Sequence, residues 1–389
     1  FLAENIPAVG YDTYYIKYNT GNEGLKREET EKGFIENDSY KITVNTNGTI
    51  NLFDKKLMKE YKELLTAEDG SDDGDEYDYS PLKDDFVITN KTAEAEIAFE
   101  HTPYVETAYI SYEMNIPKDL ESRKSKKADS KMKILTEVKL RKNSDKVEIK
   151  TEIENISKDH RVRFIIPTGY KSTESVSDNQ FGTIKRPVVD TANEVWEAEK
   201  WKEKPVPVYQ MMSFADLNDK ESGMSVLTNG LREYEITGEE FDSIALTLFR
   251  SVGLLGKEEM YYRPGRPSGI KLETPDSQML GNLKFEFALF THGGDEIAGL
   301  VPQKGKEYTT PVYVYNKIPY NAMRLNPVGF TTPPEYSLFG KKIEGSILSA
   351  VKKAEKEEAV LIRVYNPNID KNIQDSFTIN HKIKNIYET

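Results

Sequence analysis

The chain has 389 residues, a formal net charge of −12, 30% charged side chains, 23 Tyr, 16 Phe and no cysteine. That length holds two or three domains with at least one large core, and the aromatic load suits strands, where such rings sit on a pleated, half-buried surface. The acidic balance excludes a nucleic-acid backbone as partner, since that needs a Lys/Arg surplus on one face, and the missing cysteines exclude disulfides and thiolate metal sites. An uncharged or anionic small ligand stays open through local basic residues.

Cysteine absence also suits a bacterial cytoplasmic location. There is no apolar run of membrane-spanning length and no signal-like start, so a soluble chain with no membrane partner is expected. The start at Phe1-Leu2-Ala3 reads as the continuation of a longer polypeptide.

In chain order, Tyr11 to Tyr18 reads as a strand. Tyr40 to Phe53 alternates apolar and polar residues on both sides of Asn47-Gly48, which predicts a hairpin with positive φ at both turn residues. The sequon Asn47-Gly48-Thr49 is read as chance. Alternating runs follow at Ala95 to Glu100, Tyr109 to Met114, Lys133 to Leu140, Val147 to Ile153 and Arg161 to Ile165. Consecutive strands without helices predict antiparallel sheets stacked as a sandwich. The charge run Glu121 to Lys131 reads as a solvated hairpin tip.

Val195 to Pro207 carries both tryptophans, Trp196 and Trp201. A tryptophan there offers a sugar platform, yet burial of a large ring is the commoner fate. Val208 to Arg250 alternates again, with Asn229-Gly230 and Thr237-Gly238 as turn signals, and Phe285 to Phe290 adds a strand. Past Pro302-Gln303-Lys304-Gly305 come Pro311 to Tyr315 and a Pro/Gly-rich stretch from Asn326 to Pro334. Ile347 to Lys356 has the composition of a short helix, and Val360 to Pro367 is strand-like.

The acidic loop Glu68 to Asp78 invites a calcium reading. With Asp69 at loop position 1, however, the twelfth position is Ser80 where an EF-hand needs a bidentate Glu, and no amphipathic helices flank it. A solvated acidic turn is the plainer alternative, and a non-EF cation site stays conceivable. Arg250 ends an alternating strand, where an arginine is usually a surface ion-pair partner. The four histidines, His101, His160, His292 and His381, are widely spaced, and no phosphate loop or nucleophile elbow appears.

Several segments resemble one enzyme family. These are Gly74-Asp75-Glu76-Tyr77-Asp78-Tyr79-Ser80-Pro81, Leu248-Phe249-Arg250-Ser251-Val252-Gly253, Tyr262-Arg263-Pro264-Gly265-Arg266-Pro267, Asp178 to Pro187, and Ile347 to Ala350 with Arg363 to Pro367. Taken in chain order they are similar to the C-terminal β-rich half of the family-38 glycoside hydrolases, across essentially the whole chain. The resemblance implies an all-β fold with three parts. Residues 1–35 would connect from a preceding half, 36–305 would form a large antiparallel β-sandwich, and 306–389 a smaller one.

The resemblance further implies a retaining α-mannosidase, of mannosylglycerate hydrolase type, whose zinc ligands and catalytic aspartates lie upstream. This chain would then hold no catalytic residue, no metal site and no cofactor of its own, with zinc expected in the full-length enzyme. By motif, Tyr77 falls on a tyrosine that lines the sugar pocket and Arg250 on an arginine that helps hold substrate. Arg263 is a further pocket or interface candidate. The implied partners are an α-mannoside or mannosylglycerate-like substrate, the enzyme's own N-terminal domain and a homo-oligomer mate. The competing reading is a stand-alone carbohydrate-binding or adhesive β-sandwich.

Overall fold

The computed structural model describes residues 2–15, 32–315, 333–341 and 343–388. The chain divides into two compact units, Arg27–Thr309 on the one hand and Phe1–Lys26 with Thr310–Thr389 on the other. Within the larger unit three antiparallel sheets of nine, six and four strands are formed. The fold is all-β and built of stacked sheets, as the run of strands without helices predicts.

Alternation is the cause. In Ser130–Arg141 every second side chain turns inward, so Met132, Ile134, Val138 and Leu140 are buried while Lys131, Lys133 and Leu135 face out. One contiguous core then joins the sheets. It includes Ile134, Ile149 and Phe287 of the nine-stranded sheet, Val162, Phe164 and Leu246 of the six-stranded one, and Ile42 and Leu52 of the four-stranded one. Phe164 meets Phe287 at 6.0 Å between ring centroids, and Phe249 stacks on Phe285 at 6.0 Å. Such ring pairs add about 0.5–1.5 kcal/mol each beyond the area they bury.

The hairpin around Asn47-Gly48 pairs Tyr40–Val44 with Ile50–Asp54. Its turn is wider than the two-residue form expected. Asn45 N–H donates to the Thr49 carbonyl, and of the two turn residues only Gly48 has positive φ. Asn47 instead uses its side chain, accepting from Thr49 N–H and Thr49 Oγ. Gly48 is required for a second reason, because a Cβ there would lie 2.6 Å from the Tyr112 ring.

A short helix, Val301–Tyr308, covers part of the nine-stranded sheet on the face away from this core. Val301 packs there with Phe214, Leu227 and Phe290, and Gly305 lets the helix approach Phe214 closely.

The charge run between Val105–Ile116 and Ser130–Arg141 is not wholly solvated. It forms a helical turn, Leu120–Lys124, capped by Asp119, and Arg123 turns inward with 1% of its side chain exposed. A buried carboxylate, that of Asp69, draws it in.

In the terminal unit the described strands pair as Gly10–Asp12 with Glu335–Ser337, Phe339–Lys341 with Thr378–Ile379, and Ile347–Lys353 with Val360–Tyr365. The last pair corrects the helical reading of Ile347 to Lys356. Cross-strand partners such as Val351 opposite Ile362 outweigh the local preference of its Lys and Ala residues. Residues 16–18 of the first expected strand, and 326–332 of the Pro/Gly-rich stretch, lie outside the described residues.

Asp375 closes a loop of this unit by accepting backbone N–H bonds from Ser346, Gly345 and Ser376. These bonds hold its carboxyl down to about 2. A depressed folded value means that the stabilising contribution is complete above the unfolded value of about 4 and is lost as pH falls through about 2. An NMR titration of the Asp375 carboxyl is therefore expected to give a midpoint near 2, and Asp375→Asn to remove the acid-linked change in this loop. A midpoint near the ordinary value of about 4 would contradict the bonding described.

Candidate functional site

The strand Thr66–Ser71 runs into the acidic loop, and the two together carry aspartates at 69, 72 and 75. All three carboxylates are enclosed, with no side-chain exposure. Each meets a different arginine. Asp69 pairs with Arg123, Asp72 with Arg250 and Asp75 with Arg263. A buried carboxylate without a cation would be strongly disfavoured, so these pairs are what allow an acidic loop to fold inward rather than remain a solvated turn.

Arg250 lies on Ser243–Ser251, opposite Arg161 of His160–Pro167. Its Nε donates to Asp72 Oδ2 at 2.7 Å, and its Nη2 donates to Asp72 Oδ1 at 3.1 Å and to the Asp75 and Asp78 carbonyls at 3.0 Å each. Burial works against its charge, but the Asp72 carboxylate more than offsets this and holds the guanidinium above its usual range. For Asp72 burial dominates and raises the carboxyl, despite Arg250. The side chain of Arg250 keeps 16% exposure, and its Nη1 makes no hydrogen bond among the described residues.

Arg263 is more fully committed. Its side chain is 1% exposed, and it donates to Asp75, Asp78 and the Arg266 and Lys257 carbonyls. Asp75 also accepts from the backbone N–H groups of Tyr77, Asp78 and Lys257 and from Ser268 Oγ. Arg263 thus holds the loop from beneath.

Tyr77 stands at the crest, 56% exposed. Its ring rests on Gly269, where a Cβ would lie 3.1 Å from Tyr77 Cε2, and its hydroxyl has no partner among the described residues. The loop therefore presents one phenol to solvent on a rigid base. Glu76 beside it accepts from Ser277 Oγ, tying the crest to the turn Pro275–Gln278.

Further inward, His160 Nδ1 lies 2.6 Å from Asp69 and Nε2 lies 3.0 Å from Asn155 Oδ1. Asn155 in turn donates to the Gln278 and Met279 carbonyls. His292, also buried, faces Asp216 at 2.8 Å, and that carboxylate holds it above the usual histidine range against the opposing effect of burial. Among the described residues no group of three His, Asp or Glu side chains is placed to hold a metal. None of these described groups fits a zinc site.

Trp196 is buried and Trp201 is 42% exposed, its indole donating to Glu199. Sequence reasoning missed Asp69, Asp72, Arg123, Arg161 and His160. One signal was available: Arg161 and Arg163 sit two apart in a strand whose intervening residue is apolar, which places both on one face, away from the core.

The sequence profile of the glycosyl hydrolases family 38 C-terminal domain matches residues 35–254, more than half of the chain. The chain belongs to glycosyl hydrolase family 38. A protein of Halalkalibacterium halodurans assigned as a mannosylglycerate hydrolase is 26% identical over 350 residues, covering 86% of this chain and 36% of that protein. An alpha-mannosidase from Enterococcus faecalis V583 superposes with a TM-score of 0.76 at 24% identity, over 92% of this chain and 39% of its own. A family-38 protein from Enterococcus faecalis gives 0.75 at 23%, over 93% and 41%. The chain thus spans well under half the length of these family-38 relatives. The matched segment contains the Asp69–Asp78 loop, Arg161 and Arg250, while Arg263 lies beyond it.

Arg263→Ala would leave Asp75 enclosed without its cation. A loss of about 3–5 kcal/mol of stability is expected. Arg263→Lys should recover only part of it, since an ammonium cannot reproduce the planar fork that serves two carboxylates and two carbonyls. Denaturant titration measures both, and a loss under about 1 kcal/mol for the alanine variant would mean that water reaches Asp75.

Proposed function

We propose that this chain is the C-terminal, non-catalytic part of an α-mannosidase that hydrolyses α-mannosides with retention, and that it lends pocket-lining residues to a catalytic centre located elsewhere in the enzyme. The observation that carries the reading is Tyr77. An exposed phenol with a free hydroxyl stands on a loop fixed by buried ion pairs, inside the segment that matches family 38. Sugar sites need this mix of a polar tip and an apolar edge on a rigid support. The names of the relatives support a mannoside as the sugar, with a mannosylglycerate-like substrate as the finer version.

Retention on this reading follows the two-carboxylate scheme, in which one carboxylate attacks the anomeric carbon and the resulting glycosyl-enzyme is hydrolysed by water. The zinc expected in such an enzyme would help bind the sugar's hydroxyls, and its ligands would lie outside this chain. What this chain's own residues do is orient. Tyr77 donates its hydroxyl to the sugar, Arg250 offers the N–H groups of its open Nη1, and Arg263 keeps Asp75 and Asp78 in place beneath them. The packing partner is the enzyme's own catalytic domain, and the location is the bacterial cytoplasm.

Three measurements test this. The isolated chain should neither retain stoichiometric zinc nor release product from an aryl α-mannoside, and turnover above a buffer blank would overturn the division of labour. In the full-length enzyme Tyr77→Phe should lower kcat/KM by about tenfold with an unchanged melting temperature, the effect of one lost neutral hydrogen bond. Arg250→Lys should lower kcat/KM by about ten- to a hundredfold while keeping a positive charge beside Asp72. Wild-type kcat/KM in both variants would remove the site assignment.

A further inference from the structure

Among the described residues of the larger unit, five inward-turned arginines are not alike. Arg123, Arg163, Arg250 and Arg263 each donate to a carboxylate at hydrogen-bond distance. Arg161 does not. Its side chain is 6% exposed, its Nη1 is fully enclosed without a partner, and its guanidinium makes no hydrogen bond among the described residues. The nearest acid, Glu235, lies 3.6 Å from Nη2 and is already engaged by Arg163 at 2.5 Å. A guanidinium is rarely enclosed without an acceptor, because each buried N–H left unmade is costly.

Arg161 otherwise stacks on an aromatic ring. It lies on the strand face opposite the core residue Val162, with its Cζ 3.6 Å from the centroid of the Tyr79 ring. Tyr79 meets Tyr262 edge to face at 6.2 Å, and Lys204 Nζ lies 4.3 Å from the Tyr262 centroid. Backbone bonds fix these segments together: Lys204 N–H donates to the Tyr262 carbonyl, and Tyr262 N–H to Ser80 Oγ. Neither phenol has a hydrogen-bond partner, and Lys204 has no carboxylate within ion-pair reach, among the described residues. Burial raises both phenols, so each stays protonated and able to donate at neutral pH.

We propose that Arg161, Lys204, Tyr79 and Tyr262 form a binding site for a small oxyanion, a carboxylate or a phosphate, on the outer face of the six-stranded sheet. Four donor side chains are grouped here; Lys204 has no carboxylate within reach among the described residues, and Arg161 has only Glu235 at 3.6 Å, which Arg163 shares. A guanidinium fork takes a planar carboxylate or two phosphate oxygens through paired N–H bonds, and the tyrosine rings supply apolar walls. A neutral polyol would bring no charge to either cation. This site does not depend on the glycosidase reading, and the purified chain is sufficient to test it.

Isothermal titration calorimetry at low ionic strength, with inorganic phosphate, lactate and glycerol as separate titrants, decides the matter. One saturable site for phosphate or for lactate is expected, with none for glycerol, and the tighter of the two anions assigns the ligand as phosphate or carboxylate. Arg161→Gln should weaken that binding by about tenfold or more, since it removes a charge-assisted contact. Its melting temperature should equal or exceed that of the wild type, because the substitution removes a buried charge that makes no hydrogen bond among the described residues and leaves Glu235 paired with Arg163. If Arg161→Gln does not fold, Lys204→Gln and Tyr262→Phe at the edge of the site carry the same test, each weakening binding severalfold. No saturable anion binding by the wild-type chain, or binding unchanged in these variants, overturns the proposal.

Discussion

Three aspartates that face inward set the terms for the rest of this structure. Asp69, Asp72 and Asp75 are enclosed, and none could stay ionised there without a cation and hydrogen bonds around it. The cations come from far along the chain: Arg123 from a connector between two strands, Arg250 from a strand end and Arg263 from a long loop. The acidic loop therefore takes its shape from residues that only the assembled sheets bring beneath it. Once they are in place the loop is locked. Its backbone carbonyls at Asp75 and Asp78 are drawn into the same network through Arg250.

On the function proposed above, that lock is what would fit the loop for a binding role. Loops supply most binding residues, but a contact is useful only when its support is rigid. Here three of the loop's carboxylates are spent inside, and the aromatic ring that emerges is that of Tyr77, with Gly269 behind it. The arrangement separates two tasks within a few residues, support by ion pairs and presentation by an aromatic ring. The same separation distinguishes the arginines. Four of them donate to carboxylates, whereas Arg161 leans on Tyr79, lies 3.6 Å from a Glu235 that Arg163 holds, and keeps its Nη1 without a partner.

The sheets matter to the site mainly as a frame. Alternation along Val105–Ile116, Ser130–Arg141 and Val147–Asn155 buries one face of each strand, and a shift of one residue would turn every inward side chain out. Register is thereby fixed by the core rather than by the site. His160–Pro167, bonded to strands on both sides, carries that register outward, placing Arg161 opposite Arg250 and Gly70.

Much of this was legible in the amino-acid sequence. Period-two alternation marked the strands and their stacking, because it is a local consequence of pleating, and the order of short motifs placed Tyr77 and Arg250 in family 38. The width of the Asn47-Gly48 turn was not legible, since Asn47 satisfied it with its side chain rather than with positive φ. Nor was the strand at Ile347–Lys353, where pairing across the sheet outweighed local preference.

Least legible was the inward turn of Arg123 and of the acidic loop. By composition both are solvated charge runs. Only the assembled sheets bring a guanidinium from one run onto a carboxylate of the other, and two charges each unfavourable to bury alone become tolerable together. The sequence by itself determined most strands of the larger unit, their faces and the family. Tertiary structure alone decided which charges pair and which arginine is left with open donors, because those outcomes depend on contacts between residues dozens to nearly two hundred positions apart.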